Sequence, residues 1–311
     1  MSIEGLFGDV QEFPNDDARE RYAALIGVDG IKADLAAQAR VLLDPAVAES
    51  WSTSKYGAVL PAVSDLGART ALVILAGDVG TGKTELAESV GDPIARYLRV
   101  KVTVFPLSLS ARGHGAVGEM TTLLTRAFDN VREHATGGRG KDGRLRHATI
   151  LLVDEADALA QSRELAQMHH EDRAGVNALI RGVDGLRRDR LPVLTIMCTN
   201  RIDALDPAVR RRAAAIYAFT RPNSDTRRAL LLRAFDGAEI STSELDEAVR
   251  LTGPRDGCDY GSTHSDLRQR FVPSVILDAI NRSSPLTGTR LVELARDFVP
   301  TRPFEAGTNR G

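Results

Sequence analysis

The chain lacks the marks of several large protein classes. Cys198 and Cys258 are the only cysteines in 311 residues. Two thiols cannot staple a disulfide scaffold, and Cys198 lies inside an apolar run where a core thiol belongs; a reducing compartment is expected. The formal net charge is −2, so no global basic field draws the chain to nucleic acid or an anionic membrane. No apolar stretch approaches the ~20 residues needed to cross a bilayer. Residues 1–9 lack the basic start and apolar centre of a secretory signal. The expectation is a cytoplasmic protein with no membrane partner and no global charge that points to nucleic acid. No internal repeat is visible. The rest of the composition is ordinary, 43% hydrophobic and 26% charged, with length for one large domain and a smaller one.

The most informative stretch is Gly77-Asp78-Val79-Gly80-Thr81-Gly82-Lys83-Thr84. It matches G-x-x-x-x-G-K-[ST], a phosphate-binding loop. Residues 71–76 before it form an unbroken apolar run, as a strand buried on both faces does. From Glu85 onward the chain reads as a helix. A strand, a glycine loop and a helix start together cradle phosphate with backbone N–H groups. Lys83 is expected to reach the β- and γ-phosphates of a nucleotide, and Thr84 to ligate Mg²⁺.

A second signature is Ile150-Leu151-Leu152-Val153-Asp154-Glu155, a buried strand ending in two carboxylates. In parallel α/β sheets ligands bind at that end. Asp154 is expected to hold Mg²⁺, and Glu155 to polarise the attacking water as general base. Residues 193–200 form another apolar strand, ending in Thr199-Asn200, where the Asn200 amide can orient water or touch the γ-phosphate. Asp206-Pro207 starts a short helix, and Arg210-Arg211-Arg212 crowds its end.

Elsewhere, helical spacing runs from Asp16, from 31 to 43, from 119 to 133 and from 172 to 186. Residues 100–105 and 214–219 read as strands, with Pro106 ending the first. Residues 51–67 read as irregular chain with one short helix. Beyond Pro222 the pattern is helical, over 225–235, 241–252, 265–279 and 289–298. Residues 137–146 read as a glycine-rich basic surface loop.

Together, residues 77–84, Asp154-Glu155, Thr199-Asn200 and Arg210–212 at these separations resemble the AAA+ superfamily, and more narrowly its AAA subgroup. The resemblance covers about residues 20–300. Ile26-Gly27 resembles the segment whose backbone faces adenine. Residues 261–267 resemble the lid motif Gly-x-Ser/Thr-Gly-Ala-Asp-Leu. Ser265 stands where other AAA+ branches carry a sensor arginine, which fits the AAA subgroup. The resemblance implies a three-layer αβα domain with a five-stranded parallel sheet, followed by a small helical lid. The implied boundaries are a flexible lead-in over 1–19, the ATPase domain over 20–221, the lid over 222–300 and a tail over 301–311. It also implies a homo-hexamer in which an arginine of one subunit completes its neighbour's site, with Arg211 and Arg212 matched and Arg210 a register alternative. ATP would be held by Ile26, Gly27, residues 77–84 including Asp78, Val79, Gly80, Thr81 and Gly82, then Glu85 and Asp154; Thr84 and Asp154 would be the metal ligands.

Asp154-Glu155-Ala156-Asp157 also spells the DEAD-box helicase motif. Those enzymes carry alanine where Gly77 stands and Ser-Ala-Thr where this chain has Cys198-Thr199-Asn200. They also need a second RecA-like domain, and that reading is set aside.

Residues 108–118 correspond to the central-pore segment. They contain no aromatic residue, unlike strong unfoldases; Arg112 and His114 are the gripping candidates. A compact ATPase with this pore resembles the pachytene-checkpoint family of HORMA-domain remodellers, whose bacterial members sit in CBASS antiphage operons. The resemblance implies a HORMA protein as substrate, associated with a nucleotidyltransferase. Three other readings stay open: an ATPase acting on another protein complex, a nucleotide-holding scaffold without turnover, and a nucleic-acid motor using the basic residues of 139–146.

Overall fold

The computed structural model describes residues 6–109, 119–159 and 170–304. The chain divides into two compact units. The first comprises Met1–Ala24, Gly30–Ala76 and Thr84–Ala218; the second comprises Leu25–Asp29, Gly77–Lys83 and Phe219–Gly311.

A six-stranded sheet carries the larger unit. Its strands are β1 (Gln11–Phe13), β2 (Leu72–Gly77), β3 (Lys101–Ser108), β4 (His147–Asp154), β5 (Val193–Thr199) and β6 (Ala215–Phe219). They lie in the order β1-β3-β4-β5-β2-β6. Strands β3, β4, β5 and β2 pair in parallel. Leu72 to Leu75, Ile150 to Val153 and Leu194 to Met197 carry almost only buried apolar side chains, because both faces of the sheet are covered. Each such side chain contributes about 1.5–3 kcal/mol of transfer free energy.

The sheet corrects the expected five strands to six. Within the segment read as a lead-in, Gln11–Phe13 pairs antiparallel with β3, Phe13 opposite Val102. Three residues are too few to show an alternating pattern. What fixes them is Phe13, 1% exposed, whose ring lies where a Cβ on Gly91 would stand at 2.6 Å. A second correction concerns Pro106, which does not end β3. The β1 ladder stops at the Gln11–Val104 pair, so no strand asks the Pro106 nitrogen for a proton. Its carbonyl accepts from the Gly8 N–H at 2.8 Å.

Helices precede the sheet and connect its strands: α1 (Asp16–Ala24), α2 (Asp29–Leu43), α3 (Ala46–Tyr56), α4 (Pro61–Gly67), α5 (Lys83–Ser89), α6 (Gly91–Leu98), α7 (Glu119–Ala135), α8 (His170–Arg188) and α9 (Pro207–Arg210). Residues 51–67, read as irregular chain with one short helix, instead carry the end of α3 and the whole of α4. Ser52, fully buried, fixes the link between the two helices: it donates to the Ala58 carbonyl and accepts from the Leu60 N–H, both at 2.9 Å. On one face, Leu124, Phe128 and Val131 of α7 pack with Leu179 and Val183 of α8 over Leu151, Val153 and Met197. A Cβ on Gly182 would meet the Phe128 ring at 2.3 Å, so this approach requires glycine.

The second unit is helical: α10 (Ser224–Ala234), α11 (Thr242–Leu251), a π-helical turn (Asp266–Phe271), α12 (Val272–Asn281) and α13 (Gly288–Asp297). Its core joins Leu231, Leu245, Ala248, Leu267, Phe271 and Leu291. Ser241 and Glu244 form a reciprocal capping box at α11. Among the described residues, no helix is long and apolar enough to cross a membrane.

Candidate active site

The strand order sets β4, β5 and β2 side by side, with their C-terminal ends at one end of the sheet. Ala76 pairs with Thr199, and Val153 with Met197. The chain leaves β2 into the phosphate loop, leaves β5 at Asn200 and leaves β4 at Asp154-Glu155. β3, which follows β2 in sequence, pairs on the far side of β4, so the chain crosses over two strands at this point. Such switch points are where open α/β sheets bind ligands.

Backbone shape makes the loop. Gly77 has φ +152° and Gly80 φ +74°. A Cβ on Gly77 would lie 2.1 Å from the Phe219 carbonyl oxygen, so no other residue fits there. The Lys83 ammonium, 6% exposed, donates to the carbonyls of Gly77 and Asp78 at 2.9 and 2.8 Å. Thr81 Oγ1 donates to the Asp78 carbonyl at 2.7 Å. Val79 is half exposed at the loop's outer turn.

Asp78 is held by contacts that sequence reasoning missed. Arg221 Nε and Nη2 donate to its Oδ2 at 2.8 and 2.5 Å. Arg221 Nη1 also donates to the Gly261 and Thr301 carbonyls at 2.6 and 2.8 Å. The N–H groups of Val79 and Phe304 donate to Asp78 Oδ1 at 2.8 and 3.2 Å. Burial works to raise the Asp78 pKa, but Arg221 and the two N–H groups outweigh it and hold the carboxyl below its usual range. Nothing local signals this clamp, since Asp78 and Arg221 stand 143 residues apart.

The lid-motif segment touches the same loop. The Ser265 N–H donates to the Gly80 carbonyl at 3.0 Å. Asp266, 1% exposed, accepts from the Thr263 and Thr301 N–H groups, each at 3.0 Å, and from Arg270 at 2.7 Å. His264 Nε2 lies 2.9 Å from the Ile26 carbonyl, which can only accept, so this nitrogen carries the proton. The segment containing Ile26 and Gly27 is thereby fixed to the lid motif. Gly27 has φ +81°, and a Cβ there would strike Thr226 at 2.4 Å. Burial holds the His264 pKa below the ordinary imidazole range, against the opposing effect of its bond to Ile26.

At the ends of β4 and β5 the geometry is equally specific. Glu155 is exposed and sits in the left-handed region, φ +52°, which costs a non-glycine residue about 1–3 kcal/mol. Its N–H donates to Asp154 Oδ1 at 2.8 Å. Asp157, which the sequence reading used only to weigh the helicase motif, organises the next strand end. Its Oδ1 accepts from the Asn200 N–H at 2.8 Å and from the Thr199 hydroxyl. On α5, Arg21 reaches Glu88 at 3.2 Å and Glu85 at 3.6 Å. Burial raises the Glu88 pKa, Arg21 opposes it, and the nearby Glu85 and Asp154 charges add to the rise.

The three arginines, equivalent in sequence, differ in structure. Asp206 caps α9 through the Ala208 N–H at 2.7 Å. Arg212 is tied down: Nε donates to Asp184 at 3.1 and 3.2 Å, and Nη1 to the Ala208 carbonyl. Arg210 is half-buried. Arg211 is exposed, and its side chain has no partner among the described residues. The pore candidates Arg112 and His114 lie outside the described residues.

Comparison with known proteins agrees with this geometry. The sequence pattern of the ATPase family associated with various cellular activities (AAA) matches residues 73–221. The chain is 49% identical to CD-NTase-associated protein 6 of Escherichia coli strain MS 115-1, over 97% of both chains. It superposes on a chain of the E. coli MS115-1 HORMA:CdnC:Trip13 complex with a TM-score of 0.88 and 45% identity, covering 96% of this chain and 97% of that one. Rhizobiales Trip13 aligns with a TM-score of 0.74 and 40% identity over 96% of this chain and all of that one. With its phosphate loop, its acidic strand end and these relatives, the chain belongs to the AAA ATPases, and within them to the family of CD-NTase-associated protein 6 and Trip13.

Proposed function

We propose that this protein hydrolyses ATP to remodel a HORMA-domain protein, and so switches off HORMA-dependent CBASS antiphage signalling. The observation that carries the reading is the likeness, over 96% of the chain, to a component of a HORMA:CdnC:Trip13 assembly. The HORMA protein would be presented in company with a nucleotidyltransferase. In this reading residues 20–221 are the ATPase domain and 222–300 its lid.

In this reading each site residue has a task. The phosphate-loop N–H groups and Lys83 bind the phosphates. Thr84 and Asp154 offer a hydroxyl and a carboxylate, the hard oxygen donors that Mg²⁺ prefers. Bound there, the ion would neutralise phosphate charge. Glu155 takes the proton of the attacking water, from an exposed position immediately after β4. Asn200, its backbone pinned by Asp157, orients that water. Arg211 reaches a neighbour's γ-phosphate in a homo-hexameric ring, because it alone of the three arginines is both exposed and unengaged among the described residues. Arg112 and His114 engage a mobile segment of the substrate. Peeling one segment needs only local unfolding, which costs less than unfolding a whole domain.

The test incubates a closed HORMA–peptide complex with enzyme and ATP and follows dissociation by size-exclusion chromatography. Wild-type protein is expected to release the peptide. Glu155→Gln is expected to bind ATP yet turn over at least ~10²-fold more slowly, the scale for losing a positioned base, and to leave the complex intact. Equal inertness of both proteins refutes the substrate; undiminished turnover by Glu155→Gln removes that residue from the mechanism.

A further inference from the structure

A cavity lies in the sheet-bearing unit, at the N-terminal end of β2 and β5. It measures about 290 Å³, at the small end of ligand pockets, which begin near ~300 Å³. Ala71 and Val193 mark its level. Ala71 stands six positions before Gly77, about 20 Å at strand rise. The ATP cycle described above uses none of its residues.

Its chemistry is uneven. Leu42, Val183 and Leu186 give an apolar wall, and Arg69, Arg139, Arg187 and Arg190 line the rest, against one carboxylate, Glu49. Arg139 is partly neutralised by Asp44 at 3.0 Å, and Arg69 donates to Gln38 and the Ala214 carbonyl. Arg187 and Arg190 are exposed; Arg187 has one long bond, 3.4 Å to the Ala68 carbonyl, and the Arg190 side chain has no partner among the described residues. Arg190 is also fixed at φ +52°, an unfavoured setting for a side chain of this size.

The independent observation is Thr195. It lines the cavity on the same face of β5 as Val193, is 1% exposed, and its Oγ1 has no hydrogen-bond partner. An unpaired buried hydroxyl costs about 1–3 kcal/mol, whereas valine would fill the position at no such cost. A donor held at that cost, in one cavity with the partnerless Arg190 and the loosely held Arg187, is an unfilled half of a hydrogen-bonding site.

We propose that this cavity binds a small phosphorylated organic molecule. The Thr195 hydroxyl and the Arg187 and Arg190 forks would hold the phosphate, and the apolar wall would hold the body. The excess positive charge, about two after Glu49 and Asp44 are counted against the four arginines, matches a phosphomonoester, which carries roughly −1.5 to −2. The pairing geometry suits arginine forks.

Because the phosphate loop also binds phosphate, the test uses the full chain carrying Lys83→Ala. Phenyl phosphate, inorganic phosphate and benzoate are titrated by calorimetry. Phenyl phosphate is expected to bind most tightly, since it alone offers both the dianion and the apolar body. Arg187→Ala/Arg190→Ala, both at exposed positions, is expected to weaken phenyl phosphate at least ~10-fold, the equivalent of 1.4 kcal/mol. Thr195→Val is expected to weaken it too, while raising the melting temperature of the ligand-free protein, which a merely structural threonine would not do. Absence of binding by ~10 mM, weaker than the millimolar scale of useful sites, overturns the proposal. So does binding that neither variant weakens. Tighter binding of benzoate than of inorganic phosphate overturns the phosphate assignment.

Discussion

Replacing Arg221 by alanine removes three groups' worth of contact at once. Asp78 loses both charge-assisted bonds, and the Gly261 and Thr301 carbonyls lose their shared donor. The pair is well shielded, with side chains 14% and 18% exposed. Removing one partner of a fully buried pair costs about 3–5 kcal/mol. Asp78 keeps two N–H donors, so about 2–3 kcal/mol is expected here. The phosphate loop should also lose its preset shape, weakening ATP about 10-fold, or 1.4 kcal/mol. Lysine at position 221 should rescue little, since one ammonium cannot span a carboxylate and two carbonyls at the angles of a guanidinium. The assay is urea unfolding with nucleotide titration on Arg221→Ala, Asp78→Asn and the double variant. A coupling energy above about 1 kcal/mol is expected; additivity within about 0.5 kcal/mol would refute the clamp.

Other predictions follow from the arginines and from His264. Arg211→Ala should abolish turnover without loss of stability, and mixing it with Lys83→Ala subunits should restore part of the activity. Arg212→Ala should instead lower stability through Asp184, and a monomer fully active at every concentration would sink the shared site. His264, its pKa held down by burial, is neutral when folded, so the unfolded chain takes up the proton first as pH falls through about 6.5. Stability should therefore be flat above pH ~7.5 and fall below about 6.5. His264→Gln should reduce that slope in urea midpoints, and an unchanged slope would show that the proton goes elsewhere.

Legibility followed how local each feature is. The phosphate loop and Asp154-Glu155 could be read because each is one short motif behind an apolar run, and the run itself dictates a doubly covered strand. β1 could not, because its three residues owe their form to the β3 edge and to the space over Gly91. Pro106 misled because its missing N–H matters only where a neighbouring strand requires it, and here β1 has already ended. The three arginines looked alike because the partner that distinguishes them, Asp184, lies on another helix. Arg221 read as the neighbour of a boundary proline, and only the fold reveals its bond to Asp78.

The backbone at Glu155 bears on how a substrate-trapping variant should be chosen. Its left-handed conformation is tolerated best by glycine, asparagine and aspartate. On the proposed mechanism, glutamine at this position silences the base but inherits the strain. Asparagine would silence it and relax the turn, giving an inactive protein more robust than the native one. On the proposed mechanism, the residue that serves as base is thus poorly suited to its own backbone, and catalysis and durability make opposite demands at this position.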